Sequence, residues 1–266
     1  MNTARLKNIV ILILALLNAC LLFLLLSRRS TRELDYERTL EQLTALYTAA
    51  EVGLPVELIP RDVLLPLAQP QRDTFAESRF AAALLGDGSS VDSGGGIYLY
   101  RTDTGSCTFR SNGSVEALVN LTVDDPVSFC RELGKEFGYT EFSENFEGDS
   151  GTVTAVRTLG SSQIYNCTLT FRFRGSTLTS VSGSFLSLPT SFDDYVFSDP
   201  VTALVRFLDY RNTSGAVCTE ITGLSCGYLL ESSSAGTQRL LNAVRIDTDV
   251  YSYFVSEGSG EVSRAP

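Results

Sequence analysis

The chain has 266 residues, of which 44% are apolar, 20% charged and 10% aromatic; this is enough for a membrane anchor with one large or two small globular units, and it excludes disorder over most of the length. There is no His, no Trp and only two lysines, Lys7 and Lys135, which excludes Ser/His and Cys/His nucleophile pairs and His-ligated zinc or haem, leaves almost no scope for a Schiff base, and predicts a non-enzyme without a cofactor. Residues 1–32 carry Arg5, Lys7, Arg28, Arg29 and Arg32 and no acid, while the remainder holds the other 16 of 21 basic residues and all 31 acidic ones, a net −15 that repels a phosphate backbone and speaks against nucleic-acid binding.

After a short basic tail (1–8), residues 9–26 read IVILILALLNACLLFLLL without a charge. At about 1.5 Å per residue this run spans roughly 27 Å, the thickness of a bilayer core, and predicts a transmembrane helix or uncleaved signal anchor. Its exit, LLLSRRS, lacks the small-x-small site of a cleavable signal peptide, and cleavage before Cys20 would leave LLFLLL at the mature N-terminus. The flanking charges nearly balance, but long domains translocate largely regardless of them, so the N-terminus is placed in the cytoplasm and the acidic bulk outside the membrane, as a single-pass cell-membrane protein. Ala15, Asn18, Ala19 and Leu22 fall at i, i+3, i+4 and i+7. That stripe of small residues around one amide is a helix-packing face for a membrane partner, or Asn18 is simply tolerated in a tether.

Residues 27–62 form a juxtamembrane helix and connector: after the arginines, TRELDYERTLEQLTALYTAAEVG (31–53), whose Leu34, Leu40, Leu43, Leu46 and Tyr47 predict a helix stopping near Gly53-Leu54-Pro55, is followed by a short strand and a proline-punctuated connection, serving as signalling stalk or spacer. Beyond it the sequence alternates one helix with a group of strands, three times. FAESRFAAALLG is a helix, then GIYLYRT and SCTFRS are strands joined at Asp103-Thr104-Gly105. Asp124-Asp125-Pro126 opens the helix VSFCRELGKEFGY, before the strands TVTAVRTL, IYNCTLTFRFRG and TLTSVSGSFLSL. Ser198-Asp199-Pro200 opens VTALVRFLDYRN, before strand candidates in AVCTEITGLSCGYLLES, LLNAVRIDT and YSYFVSE. Both Asp-Pro pairs place a side-chain acceptor at the cap and a proline in the first turn, where its missing N–H is harmless. The pattern predicts an α+β fold of helix-plus-antiparallel-sheet modules, divided as 63–190 and 191–266.

Few constellations carry chemistry. Gly148-Asp149-Ser150-Gly151 resembles the nucleophile stretch of trypsin-like proteases, yet without a histidine no base takes the serine proton, and the stretch reads as an acidic, glycine-rich loop. Asp124/Asp125, Glu141/Glu144/Glu147/Asp149 and Asp193/Asp194/Asp199 cluster in expected loops; spacing alone does not make a glycosidase pair, and no Asp-x-Asx-x-Asx-Gly calcium loop occurs. Gly94-Gly95-Gly96 precedes a strand and is a connector rather than a phosphate cradle. Five cysteines follow the span, Cys107, Cys130, Cys167, Cys218 and Cys226. Cys218 and Cys226 flank TEITGLS, read as a hairpin turn, and are the best intramolecular disulfide pair on proximity; the alternative is that all five are buried thiols.

The basic tail, the span reading LLNACLLFLLL, the helix leading to GLPVELIP, and the closing LLNAVRIDTDVYSYFVSEGSGEV together resemble the YycH/YycI family of Gram-positive bacteria, closest in layout to YycI. The C-terminal match rests on Ile246, Asp247, Thr248, Tyr251, Tyr253, Gly260, Glu261 and Val262. The resemblance implies a membrane-anchored accessory protein of a two-component system that modulates a sensor histidine kinase governing cell-wall metabolism. Its partners would be that kinase, a related accessory membrane protein and the bilayer, with Ala15, Asn18, Ala19 and Leu22 as contact residues. Two other classes stand beside it: a tethered module binding a cell-wall fragment or small ligand, and a wall-active enzyme using a carboxylate pair.

Overall fold

The computed structural model describes residues 14, 17, 18, 33–86, 89–188, 193–232 and 238–265, in two compact units, Met1–Val56 and Glu57–Pro266. In the first unit, Leu14, Leu17 and Asn18 are helical, and helix α1 (33–49) follows; of the five apolar residues the sequence singles out it buries Leu40, Leu43 and Tyr47 along one face, while Leu34 and Leu46 are exposed. The rest of the predicted span lies outside the described residues. Among those described, no helix is long and apolar enough to cross a membrane.

The second unit is α+β. A 3-10 turn (Val56–Leu58) and strand β1 (Leu64–Pro66) lead into three repeats of one plan, a helix followed by four strands. The first module is α2 (Thr74–Leu85) with β2 (Ser89–Asp92), β3 (Tyr98–Thr102), β4 (Gly105–Phe109) and β5 (Ser114–Thr122). The second is α3 (Pro126–Glu136) with β6 (Tyr139–Glu147), β7 (Ser150–Leu159), β8 (Ser162–Arg174) and β9 (Thr177–Ser184). After β10 (Tyr195–Phe197) comes the third, α4 (Pro200–Ser214) with β11 (Ile221–Ser232), β12 (Gln238–Thr248), β13 (Ser252–Ser256) and β14 (Val262–Arg264). Within each module consecutive strands pair antiparallel.

Each helix opens on an aspartate whose carboxylate accepts backbone N–H groups of the first turn: Asp73 from Phe75 and Ala76, Asp125 from Val127 and Ser128, Asp199 from Thr202. The two predicted Asp-Pro starts are therefore N-caps, and Asp73 supplies the third without a proline.

The first two modules share a sheet. Their fourth strands, β5 and β9, pair antiparallel from Ser114↔Ser184 to Thr122↔Thr177, which makes one run β2-β3-β4-β5-β9-β8-β7-β6. Period-two alternation buries Val153, Ala155 and Leu159 of β7 and Leu169, Phe171 and Phe173 of β8 on one face. Helices α2 and α3 contribute to that core and meet over the β5–β9 seam: Phe80 packs on Phe137 at 5.3 Å between centroids and on Phe185 at 5.1 Å, and Arg79 pairs with Glu136. The third module joins this sheet through β8. One parallel bridge, Tyr228↔Ile164, is reinforced by the Asn166 amide, which donates to Leu230 O (2.8 Å) and accepts from Leu230 N (2.7 Å), in place of backbone pairing.

Five strands, β2, β5, β6, β10 and β14, depart from the sequence reading, two of them instructively. β5 was not expected, although Asn112-Gly113, with Gly113 at φ 80°, is a hairpin turn that announces it. β6 replaces an expected acidic loop: Glu141, Glu144 and Glu147 lie on this edge strand, where charge discourages pairing with other chains, and only Gly148-Asp149 turn the chain into β7.

Candidate functional site

The least satisfied apolar surface lies on a two-stranded ribbon. β1 and β10 pair antiparallel as Leu64↔Phe197, Leu65↔Val196 and Pro66↔Tyr195, and the ladder continues through Ser198 N to Val63 O (3.0 Å) and Leu67 N to Asp194 O (2.9 Å). Leu65 is buried and Tyr228 Oη donates to Pro66 O at 2.6 Å, so the ribbon is anchored in the core. Its remaining side chains face solvent: Leu64 is 51% exposed, Leu67 56%, Tyr195 55%, Val196 39% and Phe197 69%. By the alternation of the pleat Leu64, Tyr195 and Phe197 share one face of the ribbon, and Leu67 and Val196 lie on the other with Leu65; large apolar side chains left in water at this density make the ribbon the candidate interaction surface. Sequence reading missed it because two three-residue strands more than a hundred residues apart carry no local periodicity.

A concave feature lies on the third module, on the face of its sheet opposite α4. Phe254, Leu229 and Leu241 floor a groove of about 360 Å³ beside Asn166, Glu231 and Glu261. Phe254 is held by stacking on Tyr165, 5.0 Å between centroids and 18° between planes, while Tyr165 Oη donates to Ser225 O at 2.9 Å. Burial pushes the Tyr165 hydroxyl up to about 12, so it remains a donor at neutral pH.

The C-terminal residues that carry the family resemblance have structural work in this hairpin. Thr248 Oγ1 donates to Tyr251 O (2.6 Å) and accepts from the N–H groups of Val250 and Tyr251, which closes the β12–β13 turn. Asp247 accepts from Arg245 Nε at 2.8 Å and from the Ser252 hydroxyl. Ile246 is buried, and Tyr253 packs on Phe207 of α4 at 5.0 Å. Gly260, at φ 73°, leaves room for the Arg206 guanidinium, whose Nη1 donates to the carbonyls of Ser256 and Glu257.

Of the predicted contact stripe, Asn18 is helical and exposed, while Ala15, Ala19 and Leu22 lie outside the described residues. The Cys218–Cys226 pairing is corrected. Both are free thiols, and TEITGLS is not a hairpin turn but part of an extended run, with Ile221 to Ser232 in a single strand; at about 3.3 Å per residue its two ends are far beyond disulfide reach. Cys107, Cys130 and Cys167 are buried and free as well, and burial pushes each thiol up to about 12, so they act as small hydrophobes rather than nucleophiles. Among the described residues no three His, Cys, Asp or Glu side chains converge to hold a metal.

One buried charge was not foreseen. Arg157, 8% exposed, sits on the core face of β7 with its Cζ 5.5 Å from the Tyr139 ring centroid, and its Nε and Nη1 have no hydrogen-bond partner. Its guanidinium lies against Gly138, at φ 77°, just past the α3 C-terminus, where any Cβ would collide with it. Desolvation lowers the Arg157 pKa, and the Tyr139 ring is the aromatic face its guanidinium lies over.

No family model and no curated protein matches this sequence. Among solved structures, the fold is similar to an uncharacterized protein from Eubacterium rectale (TM-score 0.46, 12% identity, covering 76% of this chain and 82% of that one). It is also similar to the C-terminal domain of YpeB from Bacillus megaterium (0.39, 10%, 74% and 99%) and to YycH from Bacillus subtilis (0.41, 10%, 78% and 53%). At these identities and TM-scores the likeness is one of layout and carries no function across.

Proposed function

We propose that this chain is a non-enzymatic, single-pass membrane protein with a cytoplasmic N-terminus, whose extracytoplasmic domain modulates a two-component sensor histidine kinase through contacts of the span and of the exported domain. The geometric observation that carries the reading is the β1–β10 ribbon: apolar side chains fixed to the core by Leu65 and Tyr228 and presented to solvent suit a protein partner. The uncharged run at 9–26, the acidic, histidine-free remainder and the resemblance of both ends to the YycH/YycI family support it. The test uses the full chain in cells with a kinase-dependent reporter. Phe197→Ser with Leu64→Ser, which removes exposed surface and no core contact, is expected to abolish regulation at unchanged protein level, and deletion of residues 1–29 to do the same. Unaltered signalling in both refutes the reading.

The groove at Leu229, Leu241 and Phe254 favours a second reading, a tethered module that binds a cell-wall fragment or small ligand. Saturable binding of wall fragments to the purified full chain, lost in Phe254→Ala, would select it.

A further inference from the structure

The three modules are built alike but end differently. In the first two, the fourth strand has partners on both sides, because β5 and β9 pair with each other as well as with β4 and β8. In the third, β14 pairs inward with β13 and has no second partner among the described residues. We propose that this free edge is a self-association seam, at which β14 of a second copy of this chain adds antiparallel, as β5 and β9 join within the chain.

The ladder fixes what the edge offers. Ala265 N–H donates to Ser252 O (2.8 Å) and Ser256 N–H to Glu261 O (2.9 Å), so positions 261, 263 and 265 turn toward β13. Antiparallel alternation then points the N–H and C=O of Val262 and Arg264 outward. Two donors and two acceptors so placed are self-complementary about a two-fold axis through Ser263: Val262 of one copy stands opposite Arg264 of the second, and the hydrogen bonds are exchanged both ways.

The side chains permit this approach. Val262 lies opposite buried Val255, on the face covered by α4, as Val115, Ala117 and Val119 of β5 face the core of their own sheet. The Arg264 guanidinium is drawn back over the Tyr251 ring, 3.4 Å from its centroid, and Ser263 is small and exposed. Neither a proline nor a bulge interrupts β14, and its short length is what limits the pairing. The seam is therefore weak in dilute solution and filled at the local concentrations that a shared membrane provides, a condition that rests on the anchoring proposed above.

The test is covalent trapping of the full chain, reconstituted in lipid vesicles, in a Cys20→Ser background. In the proposed register Ser263 faces Ser263 of the second copy as a non-hydrogen-bonded pair with Cα atoms about 4.5 Å apart, within disulfide reach. Ser263→Cys is expected to give a disulfide-linked dimer under mild oxidation, and Ser259→Cys, exposed in the preceding turn, is not. Adding Val262→Pro removes an outward N–H from each copy and leaves the β13 ladder intact; the dimer should fall about tenfold. Equal trapping at Ser259→Cys and Ser263→Cys, no trapping at Ser263→Cys, or trapping indifferent to Val262→Pro overturns the seam. If Val262→Pro lowers the melting temperature, the comparison of the two cysteine positions still decides. Unaltered kinase regulation in the ribbon variant and in the deletion of residues 1–29, with trapping at Ser263→Cys as expected, would count against the function proposed above and not against this pairing.

Discussion

The first two modules and the third start from the same local instructions, an aspartate cap, an amphipathic helix and four strands, and arrive at different degrees of integration. β5 and β9 fuse the first pair into one sheet, and Phe80, Phe109, Phe137 and Phe185 interlock in a core that neither module could close alone. The third packs α4 through Phe207 on its own Tyr253 and meets the rest along β11 and the start of β12: one backbone bridge, the Asn166 clamp, the Tyr165–Phe254 stack, Tyr228 buried in the shared core, and the Gln238 amide on Asn112 O. What separates them is the partner of the fourth strand, a non-local fact that decides how much apolar surface each module buries and hence its local stability.

The comparison is broken most severely at Phe80. Phe80→Ala, by deleting a fully buried ring, should cost about 3–5 kcal/mol. In hydrogen exchange the loss should appear together in α2, α3 and the strands beneath them, with β12 and β13 affected least; equal loss everywhere would show that the three modules unfold as one. Arg157→Met should move the opposite way. Replacing a buried cation with unpartnered Nε and Nη1 by an apolar chain of similar length should stabilise the second module by about 1–3 kcal/mol in urea unfolding, and destabilisation would mean that the Tyr139 face compensates the charge in full. Asn166→Ala should cost about 1 kcal/mol and raise exchange at Leu230 and along β11 without touching β5 or β9.

The smallest effect is at Asp249, whose carboxyl is held below its usual value first by the Thr219 hydroxyl and then by the Thr219 N–H. A depressed folded pKa stabilises above the unfolded value, about 4, and the contribution disappears as pH falls through the folded one. The melting-temperature gap between wild type and Asp249→Ala should accordingly be small and constant from pH 5 to 8 and should narrow below about pH 4. A gap that widens in acid would contradict the assignment. Asp125, held down by Ser128, titrates with the same sign at the start of α3.

Much of this plan was legible in the sequence where the signal is local. Asp125-Pro126 and Asp199-Pro200 announced helix starts, and alternation in TVTAVRTL and TLTFRFRG announced strands with one buried face. Where charge overrides propensity, as in β6, the strand was hidden, and Ile221–Ser232 was divided by a turn because Gly223 and Gly227 punctuate it, although the first marks a bulge and the second makes room for the Tyr165 ring. The candidate site was the least legible part. Leu64 and Phe197 become neighbours only through tertiary pairing, and their exposure depends on what the fold leaves uncovered, which no window of sequence contains.

The central claim, that the domain acts by protein contact at the ribbon, is tested most directly by placing a photoreactive residue at Phe197 in the full chain, crosslinking in living cells and identifying what is captured, with Arg174 on the β8–β9 hairpin as the control position. Capture of a sensor histidine kinase from Phe197 and not from Arg174 is the predicted result. Normal regulation with no kinase captured at Phe197, or equal capture from both positions, would contradict it.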